Sequence, residues 1–179
     1  MKIHLKQIAD DNWNEIKKIR YQVFTEDLGI SKDLLFDDLD STADQFLICD
    51  GDMIVGSVRL RKDGNLMILE RMAILENFRK MGYGKNTLKL IKQLAIKKQM
   101  QKIQLQSIFD VKEFYHKSGF IETGKIFTSA GLPHITMYLV LKMRCHNKIG
   151  CFHDQIFHED NSGKCLVKGC KCASFEFAS

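Results

Sequence analysis

Runs of alternating or uniformly apolar residues predict seven β-strands before residue 143. Strict polar and apolar alternation from Lys2 to Gln7 is typical of a half-buried strand. Asp-Gly pairs at Asp50-Gly51 and Asp63-Gly64 separate apolar runs, which predicts two tight hairpins. The remaining predicted strands are Gln45 to Cys49, Met53 to Arg61, Leu66 to Ile74, Ile103 to Gln106, a strand that starts at Phe120, and His134 to Met143.

Apolar residues spaced by three or four positions predict helices between these strands. The first helix follows Asp10 and Asp11, which can cap it, and we expect Gly29 to end it. A longer amphipathic helix follows the turn Gly82-Tyr83-Gly84, and a short helix is predicted at Val111 to Lys117. Early hairpins and a later strand-helix-strand order indicate an α/β (α+β) domain. Its sheet should be mixed and mostly antiparallel, with one parallel crossover and flanking helices.

The composition is that of a globular protein rather than a membrane or secreted one. The chain has 179 residues, 45% of them hydrophobic, which suits one domain with a short additional element. No apolar run approaches the ~20 residues that span a bilayer, and the first residues lack the apolar region of a secretory signal. We therefore expect a cytoplasmic protein without a membrane partner, whose six cysteines stay as thiols or bind metal.

The net charge of +5 is unevenly distributed. Nine acidic residues and one lysine lie between Gln22 and Asp52, whereas eight basic residues and one glutamate lie between Glu76 and Ile103. Both stretches can be solvated surfaces, or they can handle ligands of opposite charge. The basic stretch lacks the aromatic interleaving that is typical of nucleic-acid-binding surfaces, so we expect no nucleic-acid partner.

Residues 79–85, Arg79-Lys80-Met81-Gly82-Tyr83-Gly84-Lys85, are called the glycine loop here. The two glycines allow a sharp turn and a close approach of the main chain to a ligand. Unpaired N–H groups and the dipole at a helix start favour negative charge, and the three basic side chains add to this. The pattern favours a pyrophosphate site over a glycine turn that merely starts a helix.

The glycine loop resembles the R/Q-x-x-G-x-G/A loop of the GNAT acetyltransferase superfamily, which follows the fourth strand and opens the third helix. Three further stretches are similar to the ElaA-like branch of that superfamily, so the resemblance covers about residues 1 to 143. These stretches are Ile19-Arg20-Tyr21-Gln22-Val23-Phe24 with Glu26, Phe114-Tyr115-His116-Lys117-Ser118-Gly119-Phe120, and Gly131-Leu132-Pro133-His134-Ile135-Thr136-Met137.

The resemblance implies the GNAT acyl-CoA N-acyltransferase fold for residues 1–143, with acetyl-CoA as co-substrate between two strands that splay apart. Main-chain groups at the end of one strand would hold the pantetheine arm and the thioester carbonyl, and those of the glycine loop would hold the pyrophosphate. The residues implied in acetyl-CoA binding are Met72, Ala73, Ile74, Arg79, Lys80, Met81, Gly82, Tyr83, Gly84, Lys85 and Gln106.

Acetyl transfer to an amine needs a group that removes a proton from the amine and one that protonates the departing thiolate. Glu70 is the candidate base, and the alternative is a surface carboxylate paired with Arg59 or Arg71. Tyr115 matches the family tyrosine that acts as the acid, and the alternative is an aromatic side chain packed behind Gly119-Phe120.

The acidic stretch, by the same resemblance, borders the acceptor pocket. This implies a cationic amine acceptor attracted by carboxylates. We expect Cys49 to be a small core residue because it lies on an apolar strand, and His134 to be a structural histidine. The carboxylates implied are Glu26, Asp37, Asp38 and Asp40.

Residues 144–179 lie outside the resemblance and contain five of the six cysteines and three histidines. Because this segment lacks apolar periodicity, a zinc ion bound by Cys and His would supply the folding energy that it lacks. An iron–sulfur site, disulfides in an oxidising setting, or a disordered tail with exposed thiols are the alternatives. The candidate zinc ligands of this small metal-binding extension are Cys151, His153, His158, Cys165, Cys170 and Cys172.

Two functions fit these patterns. The first is an acetyl-CoA-dependent N-acetyltransferase that acts by direct attack in a ternary complex. The second is a non-catalytic acyl-CoA-binding or protein-interaction module that uses the metal tail as its contact. The sequence leaves the identity of the amine and the oligomeric state open.

Overall fold

One seven-stranded mixed sheet organises the part of the chain that the structure describes, residues 2–8 and 13–141 of a computed structural model. The strands are β1 (Ile3–Gln7), β2 (Asp44–Asp50), β3 (Met53–Asp63), β4 (Leu66–Ile74), β5 (Lys102–Ile108), β6 (Ile121–Ser129) and β7 (Leu132–Val140). Their order is β1-β2-β3-β4-β5-β7-β6, and only the β4–β5 pair is parallel. This confirms the predicted mixed, mostly antiparallel sheet.

The helices are α1 (Trp13–Arg20), α2 (Tyr83–Lys97) and α3 (Lys112–His116). A π-helical turn, Tyr21–Glu26, continues α1, and Gly29 follows it with a φ of 70°, which is consistent with the predicted stop. Short 3₁₀ turns occupy the remaining connections. They are Lys32–Leu34, Asp38–Ser41, Glu76–Phe78 and Phe109–Val111. No helix in the described ranges has the length and apolar character needed to cross a bilayer.

Both faces of the central strands are covered. The larger core lies under α2, where Leu88, Ile91 and Ala95 pack against the sheet. A smaller core lies under α1, and Leu47 and Cys49 of β2 belong to it. Because strands buried on both faces read as continuous apolar runs, this explains the sequence of β2. Cys49 is buried, as expected of a core residue.

Strands β4 and β5 separate halfway along their length. Their pairing runs from Leu66↔Lys102 to Leu69↔Leu105 and ends there. A bulge in β4 lies just beyond, where the register with β3 shifts and Arg71 adopts a φ of 51°. Since a bulge increases the local bend of a strand, it turns the end of β4 away from β5. Main-chain groups on the facing edges are thereby left for another partner.

The last strand is shifted relative to the sequence prediction. It begins at Leu132 and ends at Val140, whereas His134 to Met143 was expected. Pro133 therefore lies inside a strand, opposite Thr128 of β6, and the ladder with β5 begins only at His134. A proline is tolerated there because no β5 partner needs its missing N–H.

Candidate active site

The glycine loop ends in a left-handed residue that starts α2. Gly82 is the N-cap residue with a φ of 88°, a conformation that a side chain would strain. Asn86 N–H donates to the Gly82 carbonyl at 3.0 Å. The first N–H groups of a helix have no partner within it, so those of residues 83–85 point out of the helix start. This is the geometry of an anion site.

The three basic side chains of the loop are used differently. Arg79 Nε donates to the Ile74 carbonyl at 2.9 Å, and its guanidinium forms an ion pair with Asp27. Arg79 therefore braces the loop against the end of β4. Lys80 and Lys85 are exposed, which leaves their ammonium groups able to meet a phosphate.

Tyr83 anchors the loop by its side chain. Its ring is buried and lies edge-on to Phe78, with centroids 5.6 Å apart. Its hydroxyl donates to Asp50 Oδ2 at 2.9 Å, which raises the pKa of Tyr83. The Lys2 backbone N–H and this hydroxyl together lower the pKa of Asp50. Only the main chain of Tyr83 is left to face a ligand.

Gly84 brings the start of α2 against α3. A Cβ atom built on Gly84 would lie 3.0 Å from the Phe114 ring and 3.7 Å from Met72 Cε. The absence of a side chain at Gly84 thus makes room for Phe114, and the approach of its main chain to a ligand stays a prediction. The Phe114 ring in turn contacts the Tyr115 ring edge-on, with centroids 4.9 Å apart. Helix α3, which carries the candidate acid, thus packs directly beside the glycine loop.

The remaining residues implied in acetyl-CoA binding line the two ends of the opening. Met72 is half-buried, Ala73 is buried, and Ile74 ends β4, where its carbonyl already accepts from Arg79. Gln106 is the first residue of β5 beyond the ladder with β4, and its side chain is exposed. Because the carboxyl ends of parallel strands share one edge of a sheet, the structure brings all these residues to one side.

Tyr115 is half-buried, and two other aromatic rings flank its own ring. Its ring contacts Phe114 and also Phe120, at 5.8 Å between centroids. Burial raises the pKa of Tyr115 to about 12. The contact with Phe120 is the packing that the sequence offered as the alternative to an acid. The two descriptions are compatible, because packing of the ring fixes where the hydroxyl lies.

Glu70 lies at the start of the opening but is held by arginines. It accepts from Arg59 Nε at 3.0 Å, and from Arg61 Nε and one terminal nitrogen at 2.8 and 2.9 Å. The pairing that the sequence offered as the alternative to a base is therefore present, with Arg61 as an unforeseen second partner.

These contacts belong to a larger group, which we call the arginine–carboxylate cluster. Arg20 and Arg59 are 0% and 2% exposed, and both donate to Asp40. Arg20 also lies over the rings of Trp13 and Phe36, at 5.4 and 5.6 Å. The members of the cluster are Arg20, Asp37, Asp40, Gln45, Arg59, Arg61, Glu70 and Arg71.

Two carboxylates of the cluster, Asp37 and Asp40, have pKa values that their arginine partners lower. A hydrogen bond from Arg59 lowers the pKa of Asp37 to about 2. Burial alone would raise the pKa of Asp40, but the hydrogen bond and charge of Arg20 outweigh it and lower the pKa. Two of the four carboxylates proposed to attract the acceptor, Asp37 and Asp40, thus already have their negative charge balanced by arginines. Glu26 and Asp38 are exposed.

The sequence reasoning missed this cluster as a unit. One signal was available, because Arg20 and Arg59 each sit among apolar neighbours, after Ile19 and between Val58 and Leu60. An arginine at such a position is buried only when it is paired. His134, for which no role was found, stacks on Phe127 and its Nδ1 contacts the Leu132 carbonyl at 2.9 Å.

The candidate zinc ligands, Cys151, His153, His158, Cys165, Cys170 and Cys172, lie outside the described residues. Within residues 2–8 and 13–141, no group of three or more His, Cys, Asp or Glu side chains could hold a metal ion.

Comparison with known proteins places this fold and loop in a family. Residues 14–141 match the model of the acetyltransferase (GNAT) domain. YyaT of Bacillus subtilis is 30% identical over 139 residues, which cover 75% of this chain and 94% of YyaT. The chain therefore belongs to the GNAT acetyltransferase family, a family of acyltransferases.

Solved structures share the fold at lower identity. A proposed N-acetyltransferase of Lactobacillus plantarum has a TM-score of 0.72 at 21% identity, over 79% of this chain and 99% of that one. Escherichia coli ElaA has a TM-score of 0.65 at 19% identity, over 76% and 99%. A GNAT acetyltransferase of Elizabethkingia anophelis with acetyl-CoA bound has a TM-score of 0.61 at 19% identity, over 78% and 99%.

Proposed function

We propose that this protein belongs to the ElaA-like branch and transfers the acetyl group of acetyl-CoA to an amine in a ternary complex. The observation that carries the proposal is the opening between β4 and β5 beyond Leu69↔Leu105, beside the start of α2. Unpaired strand edges suit the amide groups of a pantetheine arm. The N–H groups of the glycine loop suit a pyrophosphate. The Elizabethkingia relative, which binds acetyl-CoA, supports the choice of donor.

The chemistry asks little of the side chains beyond position. The amine lone pair forms a C–N bond, the thioester C–S bond breaks, and sulfur leaves with the electron pair. A proton moves from nitrogen to sulfur overall. Holding both reactants in one site contributes a large part of the rate in such reactions.

Tyr115 is the proposed acid. With a pKa of about 12 its hydroxyl keeps its proton at neutral pH and can donate a hydrogen bond as charge develops on sulfur. A thiol with a reference pKa of ~8.5 is the stronger acid, so the bond stabilises the thiolate more than it transfers the proton. Tyr115→Phe should therefore lower kcat more than it changes the affinity for acetyl-CoA.

Glu70 stays the candidate base, and its contacts are the argument against it. Three guanidinium N–H groups from Arg59 and Arg61 occupy its oxygens, so few lone pairs remain to take up a proton. If Glu70 serves only the arginine–carboxylate cluster, the amine loses its proton to water.

The proposed acceptor is a cationic amine. A cleft of about 690 Å³ opens on the α1 side of the sheet, and aromatic rings and carboxylates form much of its wall. Aromatic faces and carboxylates both attract ammonium groups. The residues that line the cleft include Trp13, Lys17, Phe36, Asp37, Asp38 and Asp40. The positive charges of Lys17 and of the arginines in the cluster repel an ammonium group, so the proposal of a cationic acceptor rests on Asp38. Asp38→Lys should raise KM for the amine and leave the affinity for acetyl-CoA unchanged.

Residues 144–179 are proposed to bind zinc as a separate extension, and a cytoplasmic location stays a prediction. Zinc content measured on the full chain and on a chain ending at residue 143 tests the first point. Equal, near-zero content in both would contradict it.

Two measurements test the function. Melting temperature with saturating acetyl-CoA should rise, because a ligand that binds the folded state stabilises it. Free thiol released from acetyl-CoA should then appear with a panel of amines. No shift in melting temperature would reject acetyl-CoA as donor. A shift without thiol release from any amine would favour the non-catalytic acyl-CoA-binding module.

A further inference from the structure

His116 stands directly after Tyr115, and both of its ring nitrogens face hydrogen-bond acceptors. Nδ1 lies 3.1 Å from the Phe120 carbonyl oxygen, and Nε2 lies 2.6 Å from Glu122 Oε1. A neutral imidazole has one N–H and one lone pair. It can therefore make only one of these two bonds, and its other nitrogen would set a lone pair against a lone pair.

The acceptor on the Nε2 side is an ionised carboxylate. Lys112 Nζ lies 3.0 Å from the same Glu122 oxygen, and the hydrogen bonds from His116 and Lys112 lower the pKa of Glu122. Glu122 is therefore unable to donate to the ring. Only an imidazolium, with a proton on each nitrogen, satisfies both contacts.

The same turn fixes Tyr115. The Tyr115 carbonyl accepts from Ser118 N–H at 2.9 Å and from Phe120 N–H at 3.1 Å. The Phe120 ring packs edge-on against the Tyr115 ring. Phe120 thus binds Tyr115 through its N–H group and its ring, and His116 through its carbonyl group. A shift of Phe120 would move the phenol.

We propose that His116 is a positioning residue which, as an imidazolium bonded to Phe120 and Glu122, ties α3 to β6 and sets the place of the Tyr115 hydroxyl. The inference rests on the role proposed above for Tyr115. The charge state of His116 and its two hydrogen bonds do not depend on whether Tyr115 acts as the acid.

The surrounding charges act in both directions. Glu122 on β6 favours the imidazolium. Lys112 on α3 opposes it, as does Lys92 on α2, whose ammonium group bonds to the Ser118 carbonyl. On β7, Tyr138 stands opposite Ile121, the neighbour of Glu122. The carboxylate is the only one of these groups in direct contact with the ring among the described residues.

The charge state is tested on the wild-type full chain by ¹⁵N–¹H NMR of the histidine rings, assigned by comparison with His116→Gln. We expect both His116 nitrogens to carry protons at pH 7, and Glu122→Gln to weaken the hydrogen bond at Nε2. A neutral ring at pH 7 would overturn the proposal.

Positioning is tested by acetyl transfer across pH. His116→Gln should lower kcat about tenfold, with KM for acetyl-CoA unchanged. His116→Arg keeps two donors at every pH, so the ratio of wild-type to Arg-variant kcat should fall as the pH rises. Lys117→Gln, a charge change at the end of the same helix, should leave kcat unchanged. A ratio independent of pH contradicts the proposal.

If the protein binds acetyl-CoA but transfers nothing, the function proposed above fails, and ring NMR signals of Tyr115 still decide this point. They should shift in His116→Gln and on titration of His116 in the wild type. Tyr115 signals that are insensitive to both would reject positioning by His116.

Discussion

The glycine loop follows β4, whereas the arginine–carboxylate cluster joins α1 to β2, β3 and β4, and the two present charge in opposite ways. The loop offers main-chain N–H groups, with the side chains of Lys80 and Lys85 exposed around them. The cluster contains four guanidinium groups and three carboxylates, and its two central arginines are almost fully buried.

This difference distinguishes charged groups that bind a ligand from charged groups that stabilise the fold. A charged group that binds a ligand is left unpaired and near solvent, where ionisation costs little. Buried charge is satisfied internally, because an unpaired buried ion is strongly destabilising. The glycine loop is therefore the part of the site suited to an anionic donor. Most of the arginine–carboxylate cluster has a structural role, because it holds the segment that follows α1 against the sheet.

The largest effect is expected from Asp40→Ala. The substitution removes a partner from Arg20 and Arg59 at once, and loss of one partner of a buried pair costs roughly 3–5 kcal/mol. Urea unfolding should show the loss as a lower midpoint. The matched control is Asp38→Ala, an exposed neighbour for which we expect a change within about 0.5 kcal/mol. Equal losses in the two variants would contradict a structural role for the cluster.

Gly82→Val should impair the glycine loop and leave the arginine–carboxylate cluster intact. A β-branched side chain is strongly disfavoured at a φ of 88°, so the start of α2 must reorganise. We expect the affinity for acetyl-CoA, measured by calorimetry, to fall more than tenfold, or about 1.4 kcal/mol. Gly64→Val is the control, because Gly64 also has a positive φ but lies in the turn between β3 and β4. It should lose stability and keep its affinity.

The glycine loop and the arginine–carboxylate cluster also differ in how well the sequence predicts them. The seven strands, the parallel pair and the glycine loop follow from local patterns, because turns, alternation and helix starts are encoded by neighbouring residues. The cluster joins residues from α1, the 3₁₀ turn Asp38–Ser41, β2, β3 and β4. No local pattern shows which charged residues pair across these elements, so the pairing of Arg61 with Glu70 and the packing of Phe114 against Gly84 emerge only from the structure.

Glu70→Gln distinguishes a catalytic role of Glu70 as general base from a structural role in the arginine–carboxylate cluster. A general base would lose 10²–10⁴-fold in rate on removal. The contacts with Arg59 and Arg61 favour the smaller effect, in which kcat stays within about tenfold and stability falls by about 1 kcal/mol. Both are measured on one preparation, by thiol release across pH and by urea unfolding. Loss of the acid limb of the pH–rate profile together with a hundredfold lower kcat would instead assign Glu70 to catalysis.

Asp37→Asn is expected to have the smallest effect and a defined dependence on pH. The pKa of Asp37 is about 2 in the folded protein, below the ordinary value of 3.8, so its stabilisation is present above the ordinary value and is lost as the pH falls through about 2. Because this carboxylate is 35% exposed, we expect less than about 1 kcal/mol. Urea unfolding from pH 6 to pH 2 should show the wild type and the variant converging at the acid end. Asp38→Asn should follow the wild type throughout, and a constant offset of Asp37→Asn at every pH would show that its charge is not what stabilises the cluster.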